Sequence, residues 1–232
     1  MSIYDNVQRI KEDMAKAAIA AGRDPSQILL CAATKMNDAD RVRQAILAGV
    51  DCCGENRVQE LTAKLSEDAY QGAPVHFIGH LQTNKVKQVV GKVDLIQSVD
   101  SLHLLQAVNT QACKQGIRQD ILLEINIGNE ESKSGFDIAE IDEILGQMTE
   151  FDGICVRGLM AIPPICEISR GNDKFFQKMC NLYVDITAKK YDNVCVNTLS
   201  MGMTADLTDS IPCGSTMIRV GTALFGARDY HK

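Results

Sequence analysis

No excess of positive charge marks this sequence. Its 24 Lys and Arg stand against 30 Asp and Glu, a formal net charge of −6 with histidines neutral, which excludes the basic footprint of a nucleic-acid-binding surface. No stretch approaches the ~18 consecutive apolar residues of a membrane span. The opening residues Met1-Ser2-Ile3-Tyr4-Asp5 lack the basic and apolar regions of a secretory signal, and no low-complexity segment or charge block interrupts the chain. Nine cysteines occur, an odd number with no C-x-x-C pair. Cys52 and Cys53 are adjacent, while Cys31, Cys155 and Cys195 lie inside apolar runs. A disulfide framework or zinc ribbon needs paired spacings, so free, mostly buried thiols in a reducing cytoplasm are expected.

Several catalytic signatures are also missing. No G-x-G-x-x-G turn follows the first apolar run. Gly91-Lys92 has neither the upstream glycine nor the downstream hydroxyl of a phosphate-binding loop. There is no G-x-S-x-G elbow and no H-E-x-x-H, so nucleotide hydrolysis, serine hydrolysis and zinc proteolysis drop out. His76 and His80 lie four apart, but no Asp or Glu completes a ligand set, and no metal site is expected.

What the sequence does contain is a repeated grammar. Ile3, Val7, Ile10, Met14 and Ala17 or Ala18 line one face of a helix, which Ser2 can cap with Asp5 three residues on and which Gly22 and Pro25 end. Eight short apolar runs follow: Ile28–Thr34, Val50–Gly54, Val75–Gly79, Leu95–Val99, Ile121–Ile127, Val156–Ile162, Thr198–Met201 and Thr216–Val220. Helical stretches separate them at Asp40–Ala48, Val58–Ala69, Asn84–Val90, Ser101–Gln115, Ile138–Thr149 and Lys174–Lys190. Most runs are continuously hydrophobic, as strands covered on both faces are. Eight such units in 232 residues predict an α/β protein, a (β/α)₈ TIM barrel with an extra N-terminal helix. A doubly wound open sheet is the rival. Residues 1–232 read as a single domain, with Pro163 to Asn172 as one long loop between a strand and a helix.

In a barrel, function sits at the C-terminal ends of strands. The first run ends in Lys35. That lysine either snorkels to the rim or serves as an imine-forming amine between apolar walls. The second run leads into Gly54-Glu55-Asn56-Arg57 and the third into Gly79-His80-Leu81-Gln82; Asn56 can grip a ring ligand or cap the next helix. Near the seventh and eighth runs, Ser200-Met201-Gly202 and Gly221-Thr222 supply hydroxyls and bare backbone, which suit a phosphate. Arg219 lies two residues before Gly221, pointing the same way. Buried there, it needs a ligand or a carboxylate. A lysine facing a phosphate site describes a pyridoxal-phosphate cradle or a phosphosugar aldolase.

At these residues the chain resembles the pyridoxal 5′-phosphate homeostasis protein family, which shares the alanine-racemase-like barrel. The resembling stretches are Ala33-Thr34-Lys35, Gly54 to Glu60, His76 to Lys85, Ser132 to Phe136, Gly158 to Met160, Leu199 to Met203 and Gly214 to Thr222. The resemblance implies that Lys35 holds the cofactor as an imine. It implies that Ser200, Gly221 and Thr222 hold the phosphate with backbone from Met201 and Gly202, that Arg219 approaches the pyridine nitrogen, and that Asn56 sits beside the ring. Many members follow the lysine with Thr-Lys-Pro, where this chain has Met36-Asn37.

A ring nitrogen facing a permanently charged arginine stays unprotonated and stabilises carbanions poorly. Resembling racemases close the site with a C-terminal β-domain that supplies a tyrosine base, and this chain ends soon after its eighth run. The expected function is therefore a cytoplasmic, monomeric carrier taking part in pyridoxal phosphate homeostasis, with no catalytic residues. It exchanges the cofactor with amines or apo-enzymes. A single-domain amino-acid racemase is the alternative.

Overall fold

The N-terminal helix forms where its apolar face recurs. In the computed structural model, which describes residues 2–130, 133–164 and 171–226, α1 spans Ile3–Ala20 and buries Ile3, Val7, Ile10, Met14 and Ala18. Ser2 Oγ accepts from the Asp5 amide at 3.1 Å while Asp5 accepts from the Ser2 amide at 2.9 Å, a reciprocal cap that satisfies two first-turn donors.

The eight runs form eight parallel strands: β1 (Leu29–Ala33), β2 (Cys52–Glu55), β3 (Val75–Phe77), β4 (Leu95–Val99), β5 (Gln119–Ile125), β6 (Ile154–Ala161), β7 (Val194–Ser200) and β8 (Met217–Val220). They pair in sequence order, and β8 returns to β1, closing the barrel. The intervening helices are α2 (Ala39–Leu47), α3 (Val58–Ser66), α4 (Leu102–Gln115), α5 (Ile141–Gly146), α6 (Asp173–Ala188), α7 (Leu207–Ser210) and α8 (Thr222–Phe225). The protein is thus a (β/α)₈ barrel with an added N-terminal helix.

Side-chain alternation sorts inside from outside. Leu30, Ala32, Ile218 and Val220 pack outward against Val7, Ile10 and Leu224 in one apolar cluster. Cys31, Cys52 and Met217 form a separate buried cluster. The seam between first and last strands is in register, with Cys31 opposite Arg219 and Ala32 opposite Val220.

Three details differ from the sequence expectation. After β3, a 3₁₀ turn over Thr83–Gln88 replaces the helix expected over Asn84–Val90. Val86 within the turn is buried, as are Val89, which caps it, and Val90. β7 begins at Val194 and its first half is half-open, with Cys195 and Asn197 exposed. Cys195 is therefore a surface thiol, not a buried one, because the apolar run that contains it alternates faces. Cys113 is exposed as well.

Candidate functional site

Lys35 follows the last residue of β1 by two positions, at the C-terminal mouth of the barrel. A hydrogen-bonded clamp fixes the backbone on both sides of it. On one side, Lys64 Nζ of α3 donates to the Thr34 carbonyl at 2.7 Å and lies 2.6 Å from Glu55 Oε1. Thr34 Oγ1 donates to the same carboxylate oxygen, and Tyr70 OH reaches it at 3.2 Å. On the other side, the Met36 amide donates to Glu60 Oε2 at 2.6 Å. Met36 holds a left-handed φ of 60°, sparsely populated by non-glycine residues. Asn37 Nδ2 donates to the Lys35 carbonyl at 3.0 Å, and its Oδ1 accepts from Arg41 Nε at 2.8 Å. Met36-Asn37 thus builds the turn that carries Lys35.

The β8 end lies beside this turn. A Cβ placed on Gly221 would lie 3.5 Å from Ala33 Cβ, so the glycine and the lysine turn share one rim. Gly221 precedes the first turn of α8, which begins at the exposed Thr222; first-turn amides have no acceptor within their helix.

Arg219 points inward and is 5% exposed. Its Nη1 donates to Ser200 Oγ at 2.5 Å and its Nη2 to the Ala161 carbonyl at 3.0 Å. Burial pulls its guanidinium below the ordinary value, opposed by Cys31, Glu124 and Asp206, yet arginine stays charged. Its hydrogen bonds therefore run to neutral oxygens. Ser200 is fully buried, and its hydroxyl also donates to Gln97 Oε1 at 2.7 Å. The Met201 amide donates to the Met217 carbonyl at 3.2 Å, and the Gly202 carbonyl accepts from the Arg219 amide at 3.1 Å. Gly202 has φ 93°, and a Cβ there would meet Ser210 Oγ at 2.0 Å, so only glycine fits.

Asn56 follows β2, and Arg57, not Asn56, is the residue that precedes α3; no side-chain cap is made there. The Asn56 Oδ1 is buried without a hydrogen-bond partner, a vacancy that a native structure seldom leaves without purpose. It lines a cleft of about 540 Å³ with Arg57, Glu60, His80, Gln82 and Lys85, within the size range of ligand pockets. His76 points into the barrel, whereas His80 is exposed and meets Asp100 Oδ2 at 3.0 Å.

Two site residues escaped the sequence reading. Gln97, fully buried in β4, joins Ser200 to His76. Glu124 in β5 is pushed up to about 7 by burial and by Asp100, against the pull of Arg219. The available signal was a polar residue inside an apolar run, as in Leu95-Ile96-Gln97 and Leu122-Leu123-Glu124, which the count of hydrophobic runs passed over.

Comparison with known proteins agrees with this architecture. A model of the family described as "Alanine racemase, N-terminal domain" matches residues 2–229. A protein of Pasteurella multocida (strain Pm70) named "Pyridoxal phosphate homeostasis protein" is 37% identical over 234 residues, covering 100% of both chains. A solved protein of Bifidobacterium adolescentis, described as unknown, superposes with a TM-score of 0.90 at 38% identity, covering 96% of this chain and 94% of its own. PipY of Synechococcus elongatus PCC7942, solved with PLP bound, gives a TM-score of 0.79 at 31% identity, covering 92% of this chain and 100% of its own.

Proposed function

The chain belongs to the pyridoxal phosphate homeostasis proteins, within the alanine racemase N-terminal-domain family, and from that premise we propose that it binds pyridoxal 5′-phosphate at the C-terminal mouth of its barrel and carries it for other proteins. The observation that supports this reading most is the shared rim of Lys35 and Gly221 above a buried arginine. The residues fit the cofactor: an amine, a buried cation without a carboxylate hydrogen bond, and the unpartnered Asn56 Oδ1 face the ring, aldehyde and phosphate of one small molecule.

When bound, pyridoxal phosphate would supply an aldehyde able to condense with a primary amine with loss of one water. The Lys35 Nζ supplies the first amine, and the clamp through Thr34 and Met36 holds it at the rim. Asn56 orients the ring edge. Thr222 and the backbone of Gly221 and Gly202 receive the phosphate. Ser200 and Met201 join them only by exchanging the hydrogen bonds they now make to Gln97 and Met217. With the cofactor bound, Arg219 would donate toward the pyridine nitrogen and keep a proton off it.

The reading assigns the protein a non-enzymatic role in a reducing cytoplasm, acting as a monomer with apo-enzymes as recipients. The free thiols of Cys31, Cys52 and Cys53 support the compartment. Exposed apolar side chains such as Ile19, Leu47 and Val184 sit on different elements, as is ordinary for a single chain.

The test is a visible spectrum of the purified chain after incubation with pyridoxal phosphate, then borohydride reduction and peptide mapping. We expect an absorption band that reduction fixes on the peptide bearing Lys35. Wild-type and Lys35→Ala proteins that stay equally colourless would end the reading.

One observation favours a second reading, a single-domain racemase. Glu124, with a carboxyl near 7, is a ready acid–base group at the mouth. Racemisation needs proton transfer on two faces, so it predicts α-proton exchange from L-amino acids in deuterated water above that of free cofactor, lost in Glu124→Gln.

A further inference from the structure

Beside Arg219 in the barrel interior, three adjacent strands bring soft donors together. Cys31 of β1 is in register with Cys52 of β2, and the ligand atoms of Cys31, Cys52 and His76 all lie within 4.8 Å of one another. Cys52 Sγ is 3.5 Å from His76 Nδ1. A four-coordinate cation with bonds of about 2.3 Å to sulfur and about 2.0 Å to imidazole sets its donors roughly 3.5–3.8 Å apart, so small side-chain adjustments suffice. Met217 packs against both cysteines and adds a thioether. Gln97 Nε2 donates at once to His76 Nδ1, at 2.9 Å, and to Met217 Sδ, at 3.1 Å. One amide nitrogen thus occupies the point on which both acceptors converge, so an ion takes that place only as the Gln97 side chain turns aside; with the amide donating, the imidazole proton sits on Nε2 and Nδ1 is able to ligate.

We propose that Cys31, Cys52, His76 and Met217 form a binding site for a single monovalent copper ion inside the barrel. Thiolate, thioether and imidazole together are a soft set that selects Cu(I) over harder cations. Charge points the same way. Two thiolates and Cu(I) leave one negative charge, which Arg219, opposite Cys31 across the strand pair, balances. A divalent ion would leave the two thiolates neutralised and the arginine's own charge buried without a counter-charge. Binding forms two thiolate–copper bonds, one thioether–copper bond and one nitrogen–copper bond, and any proton still on either thiol leaves to solvent. His76 keeps 7% exposure, a residual opening to solvent.

The experiment is an anaerobic titration of the reduced full chain with Cu(I), supplied as its acetonitrile complex, against a chromogenic copper chelator. We expect one Cu(I) withdrawn per chain, with near-ultraviolet thiolate-to-copper absorption. Cys31→Ala/Cys52→Ala abolishes this uptake. Because that double substitution can unfold a core, Met217→Leu serves as a near-isosteric second variant. It keeps the native circular dichroism and weakens copper by about 10-fold or more, the scale set by losing even an outer partner of a metal. Copper retained by the double variant, on exposed Cys113 or Cys195, would overturn the proposal. So would failure to withdraw copper, or equal competition by Zn(II).

Discussion

Lys64 and Glu55 form an ion pair of 2.6 Å inside the protein, with side chains 7% and 0% exposed. The pair does not touch the barrel mouth directly. It acts through Thr34, whose carbonyl receives Lys64 and whose hydroxyl donates to Glu55, and Thr34 precedes Lys35. Glu60, 3.8 Å from the same ammonium, holds the Met36 amide on the other side. Helix α3 therefore fixes the two residues that flank Lys35.

Lys64→Met is expected to destabilise the fold by about 3–5 kcal/mol, because it leaves Glu55 buried and unpaired. Adding Glu55→Leu should recover part of that loss, since both charges then go together. Urea unfolding midpoints of the two variants measure this. The variants that fold should also take up pyridoxal phosphate more slowly. A loss below about 1 kcal/mol for Lys64→Met, the size of a surface pair, would show that the clamp does not hold.

Gly158 makes a second prediction at the β6–β7 seam. Its φ is 145°, and a Cβ there would lie 1.8 Å from the Thr198 carbonyl oxygen. The strand pairing shifts register at this point, between Val156 and Gly158, so the backbone comes closer than a side chain permits. Gly158→Ala should cost about 3 kcal/mol or more, combining strain with overpacking. Gly146→Ala, where nothing lies within 4 Å, is the control. Thermal unfolding that shifts both variants alike would refute the close approach.

The barrel was legible because its strands are covered on both faces, so Leu29-Leu30-Cys31-Ala32-Ala33 reads as one apolar block. The same feature hid the interior. A continuous apolar run carries no period that tells inward from outward positions, and so Cys31, Cys52 and Gln97 could not be assigned to one layer. Lys35, Gly221 and Thr222 were legible because they end their strands, where polar residues interrupt the pattern. Ser200 was legible as a strand end, but not as a partner of Gln97, which lies 103 positions away. The α3 clamp was invisible for another reason. Lys64 reads as a charge on a helix surface, and only the packing of α3 against β2 shows that it is buried.

The raised carboxyl of Glu124 gives a pH prediction with a definite sign. The folded protein keeps this proton up to about pH 7, whereas an ordinary glutamate releases it near 4.5. Between those values the folded state binds more protons than the unfolded chain. Stability from this group is therefore full below pH 4.5 and declines as pH rises through 7. The loss is at most about 3 kcal/mol, and water reaching the half-buried carboxylate reduces it. Glu124→Gln removes the titrating proton and keeps the shape, so its unfolding midpoint should change less between pH 5 and pH 8 than that of the wild type. Arg219 is the internal check: in Arg219→Met the attraction that lowers the Glu124 carboxyl is gone, so the decline still begins near pH 4.5 but should continue to higher pH. Parallel stability curves for wild type and Glu124→Gln across this range would place the carboxylate in water instead.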